Sequence, residues 1–494
     1  MRLARDLLHQ IANQNLSESE RANLRCRLAG QLQEAGNYEA ASETLGELWQ
    51  GVCERPKLDG LTDATSATVL LRVGSLTRDI GSAGQIKGAQ ETAKDLLTES
   101  ISLFQALRIT DGVAEAQIEM AVCYRREGAF DEARVMLKTA LENLRENRAD
   151  LIALAMLRSA TVEGSAQRFH DALRIYAEAA PLIEKNDDPI LSGKFHHCFG
   201  TLLKKLGVAE QCQDYIDRAL IEFAAASFYF EEAELTRHQA SVENNLGFLY
   251  FTIGKLAEAH EHLDRAQALF TSLRDRVHLA QVDETRARIL LAEGKIVEAE
   301  KLVSSSVQTL ETGGEQSLLA EALSTQGIAL TRMRDFDKAQ VTLERAVEVA
   351  EQVGDTESAA QATLLMIEQL GTYLSNNDLK ATVDHALQLL KNTQDMSTLR
   401  RLVNCIWQVL SLIHASPGFP ASVDWSKFSV TDEVLRYEAH FVRLALKDSG
   451  GSHTSSAFAR TSKSPDPLEL ARYSTQGPHR RKDANQIAQK RHPK

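Results

Sequence analysis

The chain of 494 residues is expected to be all-α, built as a solenoid of about nine helix pairs, and three observations carry that expectation. The first is composition: nine prolines, 6% aromatic residues and abundant Ala, Leu, Glu, Gln and Arg make a helix-forming sequence. The second is a turn that recurs at intervals of about 40 residues, a solenoid period. The third is helical spacing of small and apolar residues on both sides of each turn. A single compact core of this length would be unusually large, whereas a stacked array grows without one.

The turn reads Gly36-Asn37-Tyr38-Glu39-Ala40, Gly128-Ala129-Phe130-Asp131-Glu132-Ala133, Gly254-Lys255-Leu256-Ala257-Glu258-Ala259 and Gly294-Lys295-Ile296-Val297-Glu298-Ala299. Asp335-Phe336-Asp337-Lys338-Ala339 repeats it with Asp in place of Gly, and Arg168-Phe169-His170-Asp171-Ala172 repeats it without the glycine. Before the turn come sets such as Leu246, Gly247, Leu249 and Tyr250, or Met120, Ala121, Cys123 and Tyr124. After it come Ala259, Leu263, Ala266 and Leu269, or Ala133, Leu137, Ala140 and Leu141. Small residues let two antiparallel helices approach, and large ones fill the space between consecutive pairs. No pair can bury its apolar face alone, so neighbours must stack.

Asn245-Leu246-Gly247-Phe248-Leu249-Tyr250, followed by the Gly254 turn, Leu263 and Ala266, resembles the tetratricopeptide repeat (TPR). The resemblance implies a right-handed superhelical solenoid, with units between Arg21 and Leu390 and weaker ones around Ile190–Ser227 and Glu357–Leu390. The slightly long period is similar to the sensor arm of maltose-regulator-type bacterial transcription factors. Residues 1–20 are expected to form an N-terminal capping helix, 21–395 the solenoid and 396–416 a closing helix. Pro417-Gly418-Phe419-Pro420 then breaks the chain.

Residues 428–452, with Leu435-Arg436-Tyr437-Glu438-Ala439 running to Lys447-Asp448-Ser449-Gly450-Gly451-Ser452, resemble the first helix of a truncated Fis-type helix-turn-helix. In that family a second helix and a recognition helix for the major groove follow. Here residues 453–494 are instead Ser-, Pro- and Arg-rich and are expected to be a disordered basic tail. His453–Arg460 can be encoded so that a one-base shift spells Thr-Gln-Ala-Ala-Arg-Leu-Leu-Gly, the missing helix, so a frameshifted helix-turn-helix is the expectation, with an unrelated disordered tail as the alternative. The tail holds nine Lys/Arg and three Asp/Glu, net +6, and the remaining 47 basic and 65 acidic residues leave the body at −18. A body that acidic is a poor general nucleic-acid binder.

Chemistry is sparse. No P-loop, nucleophile elbow or HExxH is present, so the chain is expected to be no enzyme and to hold no cofactor and no metal. His196-His197-Cys198 reads as helix packing, because adjacent helical residues point about 100° apart. His260-Glu261-His262 reads as solvated helix surface, Glu231-Glu232 as a charged linker and Gly81–Gly88 as a long interhelical turn. Cys26 and Cys123 occupy apolar positions and read as core residues. Six cysteines without a CxxC pair, no long apolar run and no cleavable leader after Met1 place the chain in the cytoplasm.

What a solenoid offers is a concave surface lined by the first helix of each pair. The family pattern puts Asn244, Asn245, Phe248 and Phe251 on or near that groove, with Val122 and Arg125, Glu284 and Arg288, and Ser324 and Ile328 at equivalent positions. An Asn amide both donates and accepts, so it can hold an extended backbone. The partner expected is therefore a protein or peptide in the groove, from a bacterial regulatory setting. The alternative is a transcriptional regulator that binds DNA, which requires an intact helix-turn-helix; no membrane partner is expected.

Overall fold

The computed structural model describes residues 11, 16–83, 86–145, 147–313, 315–391, 393 and 395–414. The chain divides into two units, 1–415 and 416–494. The helix-turn-helix segment 428–452 and the basic tail 453–494 lie outside the described residues.

The first unit is a solenoid of antiparallel helix pairs, tetratricopeptide-like in plan. The pairs are α1 (Glu18–Glu34) with α2 (Tyr38–Leu45), α3 (Asp63–Ala83) with α4 (Ala89–Ala106), and α5 (Thr110–Arg126) with α6 (Phe130–Asn143). Next come α7 (Ala149–Ser165) with α8 (Phe169–Ile183), α9 (Pro189–Glu210) with α10 (Gln213–Glu232), and α11 (Thr236–Thr252) with α12 (Leu256–Ser272). The array continues with α13 (Arg276–Ala292) and α14 (Ile296–Gly313), α15 (Gln316–Arg332) and α16 (Phe336–Gln352), and α17 (Thr356–Leu370) and α18 (Asn376–Leu389). Helix α19 (Met396–His414) packs on both helices of the last pair. Successive odd-numbered helices also touch, which makes them the inner row of the superhelix.

The recurring turn works as a helix stop. At the end of α11 the Lys255 N–H donates to the Tyr250 carbonyl at 2.9 Å and the Gly254 N–H to Phe251 at 3.0 Å, with Gly254 at φ +76°. This pattern satisfies the last carbonyls of a helix and needs one left-handed residue, which glycine adopts without a Cβ penalty. At the end of α15 the residue in that place is Arg334, φ +65°, and not Asp335. Asp335 instead caps α16, its carboxylate accepting from the Lys338 N–H at 3.5 Å. Gln167, φ +59°, does the same work before Arg168. The glycine position is thus kept as a backbone conformation even where the residue changes.

The pair α9–α10, expected to be weak, is the longest in the array, with 22 and 20 residues. Its interface is a ladder of glycines seven residues apart. A Cβ on Gly193, Gly200 or Gly207 would lie 2.6, 3.0 and 2.5 Å from Phe230, Phe223 and Ile216, themselves seven apart. Large side chains therefore lie flat on bare backbone. Phe223 and Phe230 are fully buried, and Tyr176 stacks on Phe199 at 4.9 Å. The core runs on from pair to pair through Ala, Leu and Val.

His260 and His262 are not simply solvated. His262 Nδ1 lies 2.7 Å from Glu243 and its ring stacks on Tyr250, so it fastens α12 to α11, and His260 faces Glu293 at 3.4 Å. Buried Cys26 and Cys123 sit in the core, and Glu231 and Glu232 are exposed at the end of α10.

Candidate functional site: a groove inside the superhelix

Helices α9, α11, α13, α15, α17 and α19 line a groove of about 760 Å3. Equivalent positions on successive inner helices lie about 40 residues apart, so side chains of one helix reach those of the next. Lys204 Nζ donates to Asn245 Oδ1 at 2.7 Å, 41 residues on, and Thr325 donates to Glu284 at 2.5 Å across the same offset. Gln361 and Arg401 form the corresponding contact between α17 and α19. The superhelix also touches itself across its bore: Lys205 pairs with Glu357, 152 residues away, at 3.1 Å. Gln167 and Thr393 make a second such contact.

Asn244, Asn245, Phe248 and Arg288 all line this groove, as do Glu284, Ser324 and Ile328. Arg125 does not: it lines a separate cavity of about 460 Å3 beside Arg126, Thr201 and Lys205. Burial, followed by the charges of Arg126 and Arg158, pulls its guanidinium down to about 10. Phe251 meets Phe248 edge to face at 6.1 Å and packs on the core beneath α11 and α12. Val122 is buried and lines neither cavity.

The floor around Phe248 is built from charge and aromatic face. Lys204 Nζ sits 5.1 Å from the ring centroid and the Arg288 guanidinium 5.7 Å, both within cation–π range. Arg288 is held by Glu284 at 2.5 Å and Glu321 at 3.6 Å. Burial alone would lower the Arg288 pKa, but those two carboxylates outweigh it and raise it. Burial pushes the Glu321 carboxyl up. Asn245 is oriented from both sides: because an ammonium can only donate, Oδ1 faces Lys204, and the Nδ2–H donates to His197 Nε2 at 3.0 Å. His197 therefore acts as a neutral acceptor, and burial, then Lys204, pulls its pKa down to about 4.

Lys204, Lys205, Gln361 and Arg401 were not singled out from the sequence. The usable signal was the offset of about 40 residues counted back and forward from Asn245. Among the described residues no group of three or more His, Cys, Asp or Glu is placed to hold a metal ion, and no helix is long and apolar enough to cross a membrane.

Neither a family model nor a curated protein matches the sequence. Solved structures do match. A Rap protein complexed with competence and sporulation factor aligns at 15% identity over 80% of this chain and 99% of its own, with a TM-score of 0.49. NprR in complex with its cognate peptide NprX aligns at 12% identity over 68% and 98%, TM-score 0.46. A signal transduction ATPase with a tetratricopeptide repeat sensor from Pyrococcus horikoshii aligns at 13% identity over 75% and 54%, TM-score 0.43. The likeness is one of fold.

Proposed function

We propose that this chain is a non-enzymatic, cytoplasmic scaffold that binds an extended peptide or protein segment along the groove of α9–α19. The observation that carries the reading is two pairs of oriented polar side chains along one groove, Lys204 with Asn245 across α9 and α11 and Gln361 with Arg401 across α17 and α19, with the Phe248 ring next to Lys204. An extended backbone has unpaired donors and acceptors along its length, and amides and cations spaced along a groove answer them. The ring supplies an apolar surface for a side chain.

The test is binding of the purified full chain to an immobilised library of randomised octapeptides. Asn245→Ala and Phe248→Ala are each expected to weaken capture roughly 10-fold, with melting curves near wild type. Unchanged capture by both variants would place the partner elsewhere.

A second reading follows from Leu435–Ser452: descent from a regulator of the maltose-regulator type with a C-terminal helix-turn-helix. It predicts that the shifted frame after the Gly450 codon stays open and encodes the second helix, checked by sequencing independent genomic DNA. A shifted frame interrupted by stops removes its support.

A further inference from the structure

We propose that the separate cavity of about 460 Å3 is a second binding site, which takes the phosphate group of a small ligand at Arg125 with the Arg158 charge behind it. It goes beyond the peptide groove. The two share the Lys205–Glu357 wall, but Arg125 lies outside the groove, so either site can fail alone. Helices α5, α7 and α9 line the cavity on one side, and the first turns of α15 and α17 on the other. Most charges there are already answered. Arg126 pairs with Asp79 at 2.8 Å and Lys205 with Glu357 at 3.1 Å, while Asp355 caps α17 by accepting from the Ser358 N–H. The remaining acid, Glu315, is pushed toward its neutral form by burial. Arg125 stands apart. Its polar contact is the Ser165 hydroxyl at 3.4 Å, and among the described residues it forms no ion pair.

A second cation beside it is also unanswered. Arg158 of α7 is close enough for its charge to act on Arg125, and its Nε is buried with no hydrogen-bond partner. Among the described residues Arg158 forms no ion pair. Glu119 acts on it from a distance, but Glu119 is held by Arg78 at 2.6 Å. Cations in a protein interior are ordinarily paired, so two left over on neighbouring inner helices call for an anion.

The chemistry favours phosphate over a carboxylate. Two cations match a dianion, and a phosphate monoester carries about −1.5 to −2 charge at pH 7. A guanidinium presents a rigid fork of N–H donors that takes two phosphate oxygens at once. Ser165 accepts from Arg125, which leaves its own O–H for a further oxygen. Gln316 and Ser317 of the first turn of α15 line the same cavity, and Glu315 gives that turn no side-chain cap. Gly128, Gly164 and Phe130 bound the rest, and the volume is that of a small-molecule site.

The experiment is isothermal titration calorimetry of the full chain at constant ionic strength. The probes are inorganic phosphate, ribose 5-phosphate, AMP and succinate, the last a dianion without phosphorus. At least one phosphate probe is expected to bind roughly 10-fold or more tightly than succinate. Tighter binding of ribose 5-phosphate or AMP than of inorganic phosphate assigns the site to an ester, and the reverse order assigns it to the free ion. Arg125→Met should weaken phosphate binding by roughly 10-fold or more while the melting temperature holds or rises, because no carboxylate loses a partner. Arg125→Lys keeps the charge without the fork and should fall between the two. Arg158→Met should weaken binding as well. Phosphate binding unchanged in both Met variants overturns the placement. Binding of no phosphate probe, or of succinate as tightly as the best of them, overturns the phosphate assignment.

Discussion

Replacing Asp79 by Ala is expected to lower the stability of the N-terminal repeats by about 3–5 kcal/mol, the cost of leaving a buried charge without its partner. Asp79 and Arg78, 8% and 3% exposed, sit at the junction of the first three pairs. The Asp79 carboxylate accepts from Arg78 Nε at 2.9 Å and Nη2 at 3.0 Å, and from Gln33 Nε2 of α1 at 2.6 Å. Arg126 of α5 adds an ion pair at 2.8 Å. Arg78 in turn reaches Glu119 of α5 at 2.6 Å. Burial raises the Asp79 pKa, but the Arg78 and Arg126 charges outweigh it and hold the carboxyl well below its usual range. Removing the carboxylate leaves Arg78 with Glu119 alone and takes the carboxylate partner from Arg126 and from the Gln33 amide, between three inner helices. Urea unfolding followed by circular dichroism measures the loss, and hydrogen exchange should find it concentrated in α1, α3 and α5. A repeat array need not unfold in one step, so the exchange map is the stricter check. A change below about 0.5 kcal/mol would mean the network carries no net stability.

The second large effect is acid sensitivity from two histidines held neutral. Burial, followed by nearby positive charge, pulls His197 to about 4 and His238 to about 3. The reasons are visible: His197 Nε2 must accept from Asn245, and His238 Nδ1 is buried without a partner beside Phe230, ring centroids 5.0 Å apart. In the unfolded chain both titrate near 6.5, so below that pH the unfolded state binds more protons than the folded one. Stability is therefore full above about pH 6.5. It falls as pH drops toward 4, by roughly 1.4 kcal/mol per pH unit for each histidine. His238→Phe, which suits the aromatic surroundings, should remove about half of that slope when denaturation midpoints are compared from pH 7 to pH 5. An unchanged slope would show that other groups set the acid limit.

The repeat was legible because its turn is a backbone requirement written in residues. Glycine or its left-handed substitute, then an aromatic or aliphatic residue, then an acid and alanine recur at the turns within six of the nine pairs. Substitutes such as Arg334 and Gln167 hid the same conformation under residues that rarely adopt it, which is why Asp335 was assigned the wrong place. The α9–α10 pair looked weak for a related reason. It carries its identity in Gly193, Gly200 and Gly207, a close-packing ladder rather than a turn signal.

The groove was half legible. Asn245, Phe248 and Arg288 follow from the repeat register, since register fixes which face of an inner helix looks inward. Lys204 did not stand out, because a lysine in a helix reads as solvated surface until its neighbours are known. Contacts such as Lys205 with Glu357 depend on the pitch of the whole superhelix, and no local pattern records that. The Arg78–Asp79 network is invisible for the same reason: two adjacent charges look like an exposed face, and only stacking of α1, α3 and α5 buries them.

The most direct test of the groove is hydrogen–deuterium exchange of the full chain with and without the tightest-binding octapeptide of the library. The account predicts slowed exchange along the inner helices α9, α11, α13 and α15, with the outer helices α10, α12 and α14 unchanged. Protection confined to the outer helices, or none at saturating peptide, would contradict it.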